Sequence, residues 1–199
     1  MGNPRLESVM AARASTARAV VLAIGLGLSG AYGCRPAMAQ GKPPRAEEHR
    51  LKAAFVYNLI PFVEWPTDTK GKGRIVCFAG EGAMEAALTA FFQDQRAGSP
   101  GMEVRVAHGR NEMRACSVLF LAYPDSARMR EALSQLQGAS VLTIGEGEAF
   151  VRLGGVIGLE TQGNKLRLLV NANAAQRAHL RISAKLLSMS TAVADDWTD

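Results

Sequence analysis

Two cysteines carry the clearest chemical signal in the sequence. An export signal at the N-terminus, with predicted cleavage after Ala39, would leave Cys77 and Cys116 as the cysteines of the mature chain. Two cysteines in an oxidising compartment usually pair, and a bond here would close a loop of about 40 residues, worth about 4 kcal/mol. Two separate buried thiols are the alternative. The wide spacing is unlike a C-x-x-C pair, so thiol exchange is the least favoured function.

Other residues that could perform chemistry are scattered along the chain. His49, His108 and His179 show no H-x-x-x-H or histidine/carboxylate spacing, so no metal site is predicted. Residues 80–82 lack a phosphate-binding glycine pattern and are interpreted as a turn between a strand and a helix. The sequence therefore predicts no catalytic residue and no cofactor, and the protein is not expected to be an enzyme.

Acidic residues in the C-terminal half of the chain are not predicted to form an active site. Residues 145–148 contain two glutamates that would repel phosphate, and we predict a loop there. Asp195 and Asp196 are predicted to be solvated charges in a tail that spans residues 195–199.

Four aromatic residues form a dense group in a chain that is only 6% aromatic: Phe55, Tyr57, Phe62 and Trp65. One interpretation places them in the core between the first helix and a sheet. The other is a partly exposed patch for dimer or partner contact, because interfaces are enriched in Trp and Tyr. Tyr57, Phe62 and Trp65 are therefore candidate partner-binding residues.

These residues must be positioned by an alternation of helices and strands. Apolar runs predict four strands, at 74–79, 102–106, 118–122 and 141–144, and helices at 47–59, 83–95 and 126–137. A further helix is allowed between the second and third of these strands. This order predicts an α/β fold: a single layered domain with a mostly parallel, mixed sheet flanked by helices, and a C-terminal hairpin plus helix.

Two more detailed predictions concern the ends of this domain. In the first helix, Leu51, Ala54, Phe55 and Asn58 are predicted to share one face. At the C-terminus, strands at 156–160 and 165–171 should pair antiparallel at an edge of the sheet, and residues 172–194 should be mostly helical.

The N-terminal segment has the three parts of an export signal. Arg5, Arg13 and Arg18 precede a short apolar run at 19–28, and an A-x-A site at 37–39 follows. We predict a signal peptide at 1–39, a linker at 40–46, a domain at 47–194 and periplasmic localisation. Cys34 offers the alternative of a lipid anchor, although its upstream residues fit that motif poorly.

Charge argues against a nucleic-acid partner. The full chain has a formal net charge of +5, but residues 1–39 hold four arginines and one glutamate. The mature chain then has 19 basic and 17 acidic residues, a net charge of +2. No basic stripe with interleaved aromatics remains, so we predict no nucleic-acid binding.

Several segments together resemble the YfiR-like periplasmic family over about residues 47–192. The matching segments are LKAAFVYN at 51–58, FVEWP at 62–66, ACSVLF at 115–120, VLTIG at 141–145, GGVI at 154–157 and RISAKLL at 181–187. The FVEWP block and the closing RISAKLL segment, which fits the final helix of the family, are the specific parts.

This resemblance implies a regulatory role. The namesake represses an inner-membrane diguanylate cyclase from the periplasm, which lowers cyclic-di-GMP and biofilm formation. An outer-membrane OmpA-like lipoprotein relieves that repression, and family members are homodimers. Cys77 and Cys116 match one of the two disulfides of the namesake, whereas no cysteine follows Gly145 to form the second. Another membrane sensor protein could replace the cyclase as the partner.

A small-molecule binding or sensor module is the second hypothesis. Open α/β sheets often receive a ligand at the carboxyl ends of their parallel strands. The two hypotheses are compatible if a ligand shifts the docking equilibrium.

Overall fold

A computed structural model describes residues 45–66, 74–95 and 102–196. The predicted signal peptide and Cys34 lie outside the described residues. The helices of the described part are α1 (Arg45–Leu59), α2 (Met84–Asp94), α3 (Arg110–Ala115), α4 (Ser126–Gln135), α5 (Gly147–Arg152), α6 (Ala172–Arg177) and α7 (Ala184–Ser188). A 3-10 turn, Ile60–Phe62, follows α1 where Pro61 cannot continue the helix.

The strands form one large sheet and one small ribbon. The ribbon pairs β1 (Val63–Glu64) with β8 (Arg181–Ile182). The large sheet is built from β2 (Ile75–Gly80), β3 (Glu103–Val106), β4 (Val118–Ala122), β5 (Leu142–Glu146), β6 (Ile157–Gln162), β7 (Lys165–Val170) and β9 (Thr191–Ala192). Its order is β3-β2-β4-β5-β6-β7-β9, and every neighbouring pair is parallel except β6 with β7. The predicted α/β fold with a mostly parallel, mixed sheet is confirmed.

Alternating residues of the central strands supply two hydrophobic cores. On one face, Val76 and Phe78 of β2 join a core with α1 and α2. On the other face, Cys77 and Ala79 join a core with α3, α4 and α5. The strands read as almost continuous apolar runs because both faces are covered, as expected for a parallel sheet.

Close approaches at three positions explain why glycine is needed there. The turn at 80–82 leads from β2 into the α2 region, as predicted. Gly80 has φ 128°, and a Cβ there would lie 2.4 Å from the carbonyl oxygen of Ala122 on β4. Phe150 packs so closely that a Cβ on Gly145 or Gly155 would lie 2.5 or 2.2 Å from its ring.

Three details of the predicted helices, strands and loops were wrong. Residues 145–148 are not a loop, because Gly145 and Glu146 end β5 and α5 begins at Gly147. The four residues predicted to share one face of α1 also do not form its buried face, which consists of Lys52, Ala53, Val56 and Leu59. Leu51 and Asn58, predicted on one face with Ala54 and Phe55, are exposed.

The third wrong detail is the predicted helix at 172–194. That segment is divided into α6, β8, α7 and β9, and β9 lies at the edge next to β7. The hairpin of β6 and β7 is antiparallel as predicted, but β9 covers part of its outer edge. Ser183 interrupts the helix by capping α7, because its hydroxyl accepts a hydrogen bond from the backbone of Leu186.

The chain after β9 is fastened to the domain. We call residues 191–196 the C-terminal strap. The backbone N–H of Val193 donates to Val170, and that of Asp196 donates to Arg152. The side chain of Asp195 is only 6% exposed and pairs with Arg177, so the prediction of a solvated charge at Asp195 was wrong.

Candidate partner-binding surface

Trp65 is a core residue. Its side chain is 7% exposed, and its indole Nε1 donates a hydrogen bond of 3.2 Å to the carbonyl oxygen of Ser117, just before β4. The guanidinium of Arg74 lies 3.8 Å from the ring centroid and covers one face of the ring. The core-packing interpretation therefore describes Trp65, which ties the exit of α1 to the sheet.

Tyr57 and Phe62 are only partly buried. The Tyr57 ring makes edge contacts with Phe91 and Phe92 of α2, at centroid distances of 5.9 and 5.4 Å. The Phe62 ring lies 5.6 Å from Nζ of Lys185 on α7. These contacts join neighbouring elements, so the three predicted residues do not form one exposed aromatic patch.

A largely apolar surface groove lies between α1 and β7. We call it the α1/β7 groove; it is lined by Phe55 of α1, Leu166, Arg167 and Leu168 of β7, Met189 after α7, and Thr191 of β9, so Arg167 adds one charge to an otherwise largely apolar lining. The groove has a volume of about 300 Å³. Met189 is 57% exposed, and Leu51, one helical turn before Phe55, is 40% exposed.

This groove adjoins an incompletely paired strand. In the described part of the chain, β9 pairs with β7 only at Leu169 and Val170, although β7 begins at Lys165. The preceding residues of β7 pair with β6 on their other side alone. Unpaired backbone groups beside an apolar groove form a surface to which an extended segment of another chain can add as a strand.

A buried lysine of α1 forms ion pairs with one largely buried and one half-exposed carboxylate. Nζ of Lys52, whose side chain is 4% exposed, lies 2.9 Å from Glu48 and 2.7 Å from Glu146 at the end of β5. Thr161 of β6 donates a hydrogen bond of 2.7 Å to Glu48, and Thr161 is the register partner of Leu166. Burial lowers the pKa of Lys52, but the bonds to Glu146 and Glu48 outweigh burial and raise it.

Sequence reasoning missed this surface for identifiable reasons. Lys52 is polar by type, so the pattern placed it outside the core, although two carboxylates neutralise it. Met189 lies after a helix of five residues, too short for a periodic signal. The exposed Leu51 was an available signal, but the wrong helical face placed it in the core.

The predicted disulfide is present in the structure. Cys77 of β2 and Cys116, the C-terminal cap of α3, are bonded, and their Cα atoms lie 6.0 Å apart. Both residues are buried in the core formed with α3, α4 and α5. The bond joins β2 to the turn that leads into β4.

The described residues assemble no metal centre. No group of three or more His, Cys, Asp or Glu side chains within residues 45–66, 74–95 and 102–196 is arranged to hold a metal ion. Within the same ranges, no helix has the length and apolar character needed to span a membrane.

Fold and surface together define a layered α/β domain that offers an apolar contact surface. A family model described as "DUF4154: YfiR/HmsC-like" matches residues 49–191, and the chain belongs to this family. The family is regulatory and periplasmic and suggests a role in cyclic-di-GMP signalling. No curated protein matches the chain significantly.

The first of two similar solved structures supports the fold, and the fold alone. A conserved domain protein from Vibrio cholerae O1 biovar El Tor strain N16961 is similar, with a TM-score of 0.51 and 14% identity over 76% of this chain. The chain covers 60% of that protein. An ABC domain from Streptococcus pneumoniae in complex with L-Trp has a TM-score of 0.49 and 10% identity, covering 73% of this chain and 60% of its own.

Proposed function

We propose that the mature protein represses an inner-membrane diguanylate cyclase by binding its periplasmic segment, which lowers cyclic-di-GMP and biofilm formation. The observation that carries this proposal is the α1/β7 groove beside the unpaired part of β7, in a chain of the YfiR/HmsC-like family. Signal peptide cleavage after Ala39 and a homodimeric state belong to the same proposal.

The groove suits a protein partner because it combines apolar burial with backbone pairing. A bound segment would cover Leu51 and Met189, which are otherwise exposed to water. Its backbone would pair with β7, and Leu166 and Leu168 would receive alternate side chains. The occupant we assign is an extended segment of the cyclase. An outer-membrane OmpA-like lipoprotein that relieves repression would compete for the protein.

A charged substitution in the groove tests this assignment. We expect Met189→Glu to raise cellular cyclic-di-GMP and biofilm mass to the level of the deletion strain, because a buried carboxylate would oppose docking. Val106→Glu is the matched control: Val106 is 37% exposed and lies on β3, at the opposite edge of the sheet. Both variants should retain the melting temperature of the parent protein.

The outcomes separate the function from its location. An unchanged cyclic-di-GMP level in the deletion strain, under conditions of expression, would remove the repressor function. A rise in the deletion strain but not in Met189→Glu would retain the function and remove the groove as its site. Crosslinking of the mature protein to membranes, with mass spectrometry, distinguishes the cyclase from a second copy of this chain.

A small-molecule binding module is the second candidate function. The observation that favours it is a cavity beside α4 and α6, whose lining includes Val141 at the amino end of β5 and Val156 at the amino end of β6. The expected ligand position was the opposite edge, at the carboxyl ends of the strands. There, Lys52 and Glu146 hold α1 against the end of β5.

A further inference from the structure

A cavity of about 330 Å³ lies between the C-terminal ends of α4 and α6. Its walls combine apolar side chains with polar groups; the apolar ones include Leu133, Leu136, Val141, Val156 and Ala174, and the polar ones Gln137, Thr143 and Arg177. Since one water molecule occupies about 30 Å³ of liquid, the cavity has room for a ligand of about ten heavy atoms. Its volume is within the range of small-molecule sites, and a lining of apolar side chains with a few polar groups is typical of them.

Arg177 of α6 is the one charged side chain in this lining, among the described residues. Its guanidinium has five N–H donors in a planar fork, which suits a carboxylate. Asp195 of the C-terminal strap pairs with one terminal nitrogen of this group. An incoming carboxylate would therefore meet both a cation and a competing anion.

The ends of the two helices would by themselves disfavour an anion. The C-terminal carbonyl groups of a helix carry partial negative charge. At α4, however, Nη1 of Arg114 donates to the carbonyl oxygens of Gln135 and Gln137, at 3.1 and 2.9 Å. Arg114 thus offsets the end of α4, and Arg177 is the charged side chain of the lining that a carboxylate would meet, in competition with Asp195.

We infer that this cavity binds a small apolar monocarboxylate, whose carboxylate pairs with Arg177 in competition with Asp195. Binding is coupled to the strap, because Asp195 is the residue of the strap that Arg177 holds. The strap begins at Thr191, which also lines the α1/β7 groove, so the ligand reaches the partner surface through one continuous segment. This inference concerns the purified domain and does not depend on the proposed cyclase.

Three probes of equal chain length test the ligand class by calorimetry with the mature protein: octanoate, octanol and octylamine. Octanoate should bind most tightly. Arg177→Gln should lower the affinity for octanoate by about tenfold or more, and a tenfold change corresponds to about 1.4 kcal/mol of binding free energy. Asp195→Asn should raise the affinity for octanoate several-fold, because it removes the carboxylate that competes for Arg177.

Two further variants serve as a control and as a second test of the site. Arg152→Gln is the matched control, because Arg152 pairs with Asp196 on the same strap but does not line the cavity; octanoate affinity should be unchanged. Ala178→Leu fills the cavity from α6 and leaves Arg177 in place, so it should abolish binding in a domain that still melts cooperatively. This variant decides the matter if Arg177→Gln fails to fold.

Hydrogen exchange tests the coupling. Saturating octanoate should speed exchange of the amides of Val193 and Asp196, which donate to Val170 and Arg152 in the strap. Unchanged exchange in the saturated protein would overturn the coupling. The site itself would be overturned by equal affinity for octanol, tighter binding of octylamine, absence of binding at millimolar concentration, or unchanged affinity in Arg177→Gln or Ala178→Leu.

Discussion

Lys52 shows how a single buried charge is retained in this domain. Its side chain is almost fully covered, and two carboxylates lie within 3 Å of its Nζ. Taking an ammonium group out of water is costly, and these partners compensate that cost. Removing the lysine would take away the cation that lies beside the largely buried carboxylate of Glu48.

Substitution of Lys52 should therefore destabilise the domain. We expect Lys52→Met to cost about 2–4 kcal/mol in the free energy of unfolding at pH 7, measured by urea denaturation. Because the pKa of Lys52 is raised on folding, this contribution is present below the ordinary lysine value of about 10.4. It is lost as the pH rises through the higher folded value.

Lys52→Arg is the control, since arginine keeps its charge across this pH range. The stability difference between the parent and Lys52→Met should be constant from about pH 7 to 9 and shrink above about pH 10.5. A methionine variant as stable as the parent at pH 7 would show that the ion pairs are dispensable.

Asp195 provides the corresponding acidic case. Burial raises the pKa of this carboxyl, but hydrogen bonds from Arg177 and Asn171 outweigh burial and lower it. A depressed folded pKa stabilises the domain above the ordinary value near 3.9, and this contribution disappears as the pH falls through the folded value.

Asp195→Asn should thus lower the free energy of unfolding at pH 7 by about 1.5–3 kcal/mol, the range for hydrogen bonds to charged groups. The difference from the parent should narrow below about pH 4, in chemical denaturation curves recorded down to pH 2.5. Asp196→Asn is the comparison, since Asp196 is exposed and should change stability by less than about 1 kcal/mol. Equal effects of the two substitutions would contradict a special role for Asp195.

At the scale of elements, the disulfide joins β2 to the residues that lead into β4, its parallel neighbour in the sheet. Cys77 lies within β2, and Cys116 stands just before β4, its neighbour in the sheet. The bond encloses α2, β3 and α3 in a covalent loop of about 40 residues, which the chain-entropy estimate values at about 4 kcal/mol.

Reduction of this bond should lower the melting temperature by about 10 °C, since 1 kcal/mol corresponds to about 2–4 °C in a domain of this size. Thiol labelling of unfolded, unreduced protein should detect almost no free thiol. The double variant Cys77→Ala/Cys116→Ala serves as the control, because reductant should not affect it further. A melting temperature that is insensitive to reductant would show that the bond contributes little.

The central elements were predictable, and the C-terminal ones were not, for one physical reason. Strand β4 was predicted with its observed bounds because burial on both faces demands an unbroken apolar run. Strands β8 and β9 have two residues each, which is too short for any periodicity. Strand β8 pairs with β1 near the start of the domain, and β9 pairs with β7 across α6, β8 and α7, so neither pairing is visible in the local sequence.

The partner surface was harder to predict than the fold. The aromatic cluster attracted attention by composition, yet Trp65 is held in the core by its hydrogen bond to Ser117. The α1/β7 groove is assembled from α1, β7 and the segment after α7. No local pattern brings Phe55 and Met189 together, so only the tertiary arrangement reveals the groove.

At the scale of the whole domain, the groove and the cavity lie at different places on the large sheet. The α1/β7 groove is beside the outer edge at β7, and the cavity is at the amino ends of β5 and β6. The C-terminal strap passes from one to the other, because Thr191 lines the groove and Asp195 pairs with Arg177 at the cavity. A regulator needs this kind of connection if a ligand is to change its affinity for a partner.

The covalent loop between Cys77 and Cys116 also affects how the protein responds to proteases. A single cut anywhere between these residues separates the backbone into two pieces that the disulfide still joins. The groove is built from α1, β7 and β9, which lie outside the enclosed segment, so its residues stay on covalently connected chain. Nicked protein would migrate as one band without reductant and as two bands with it.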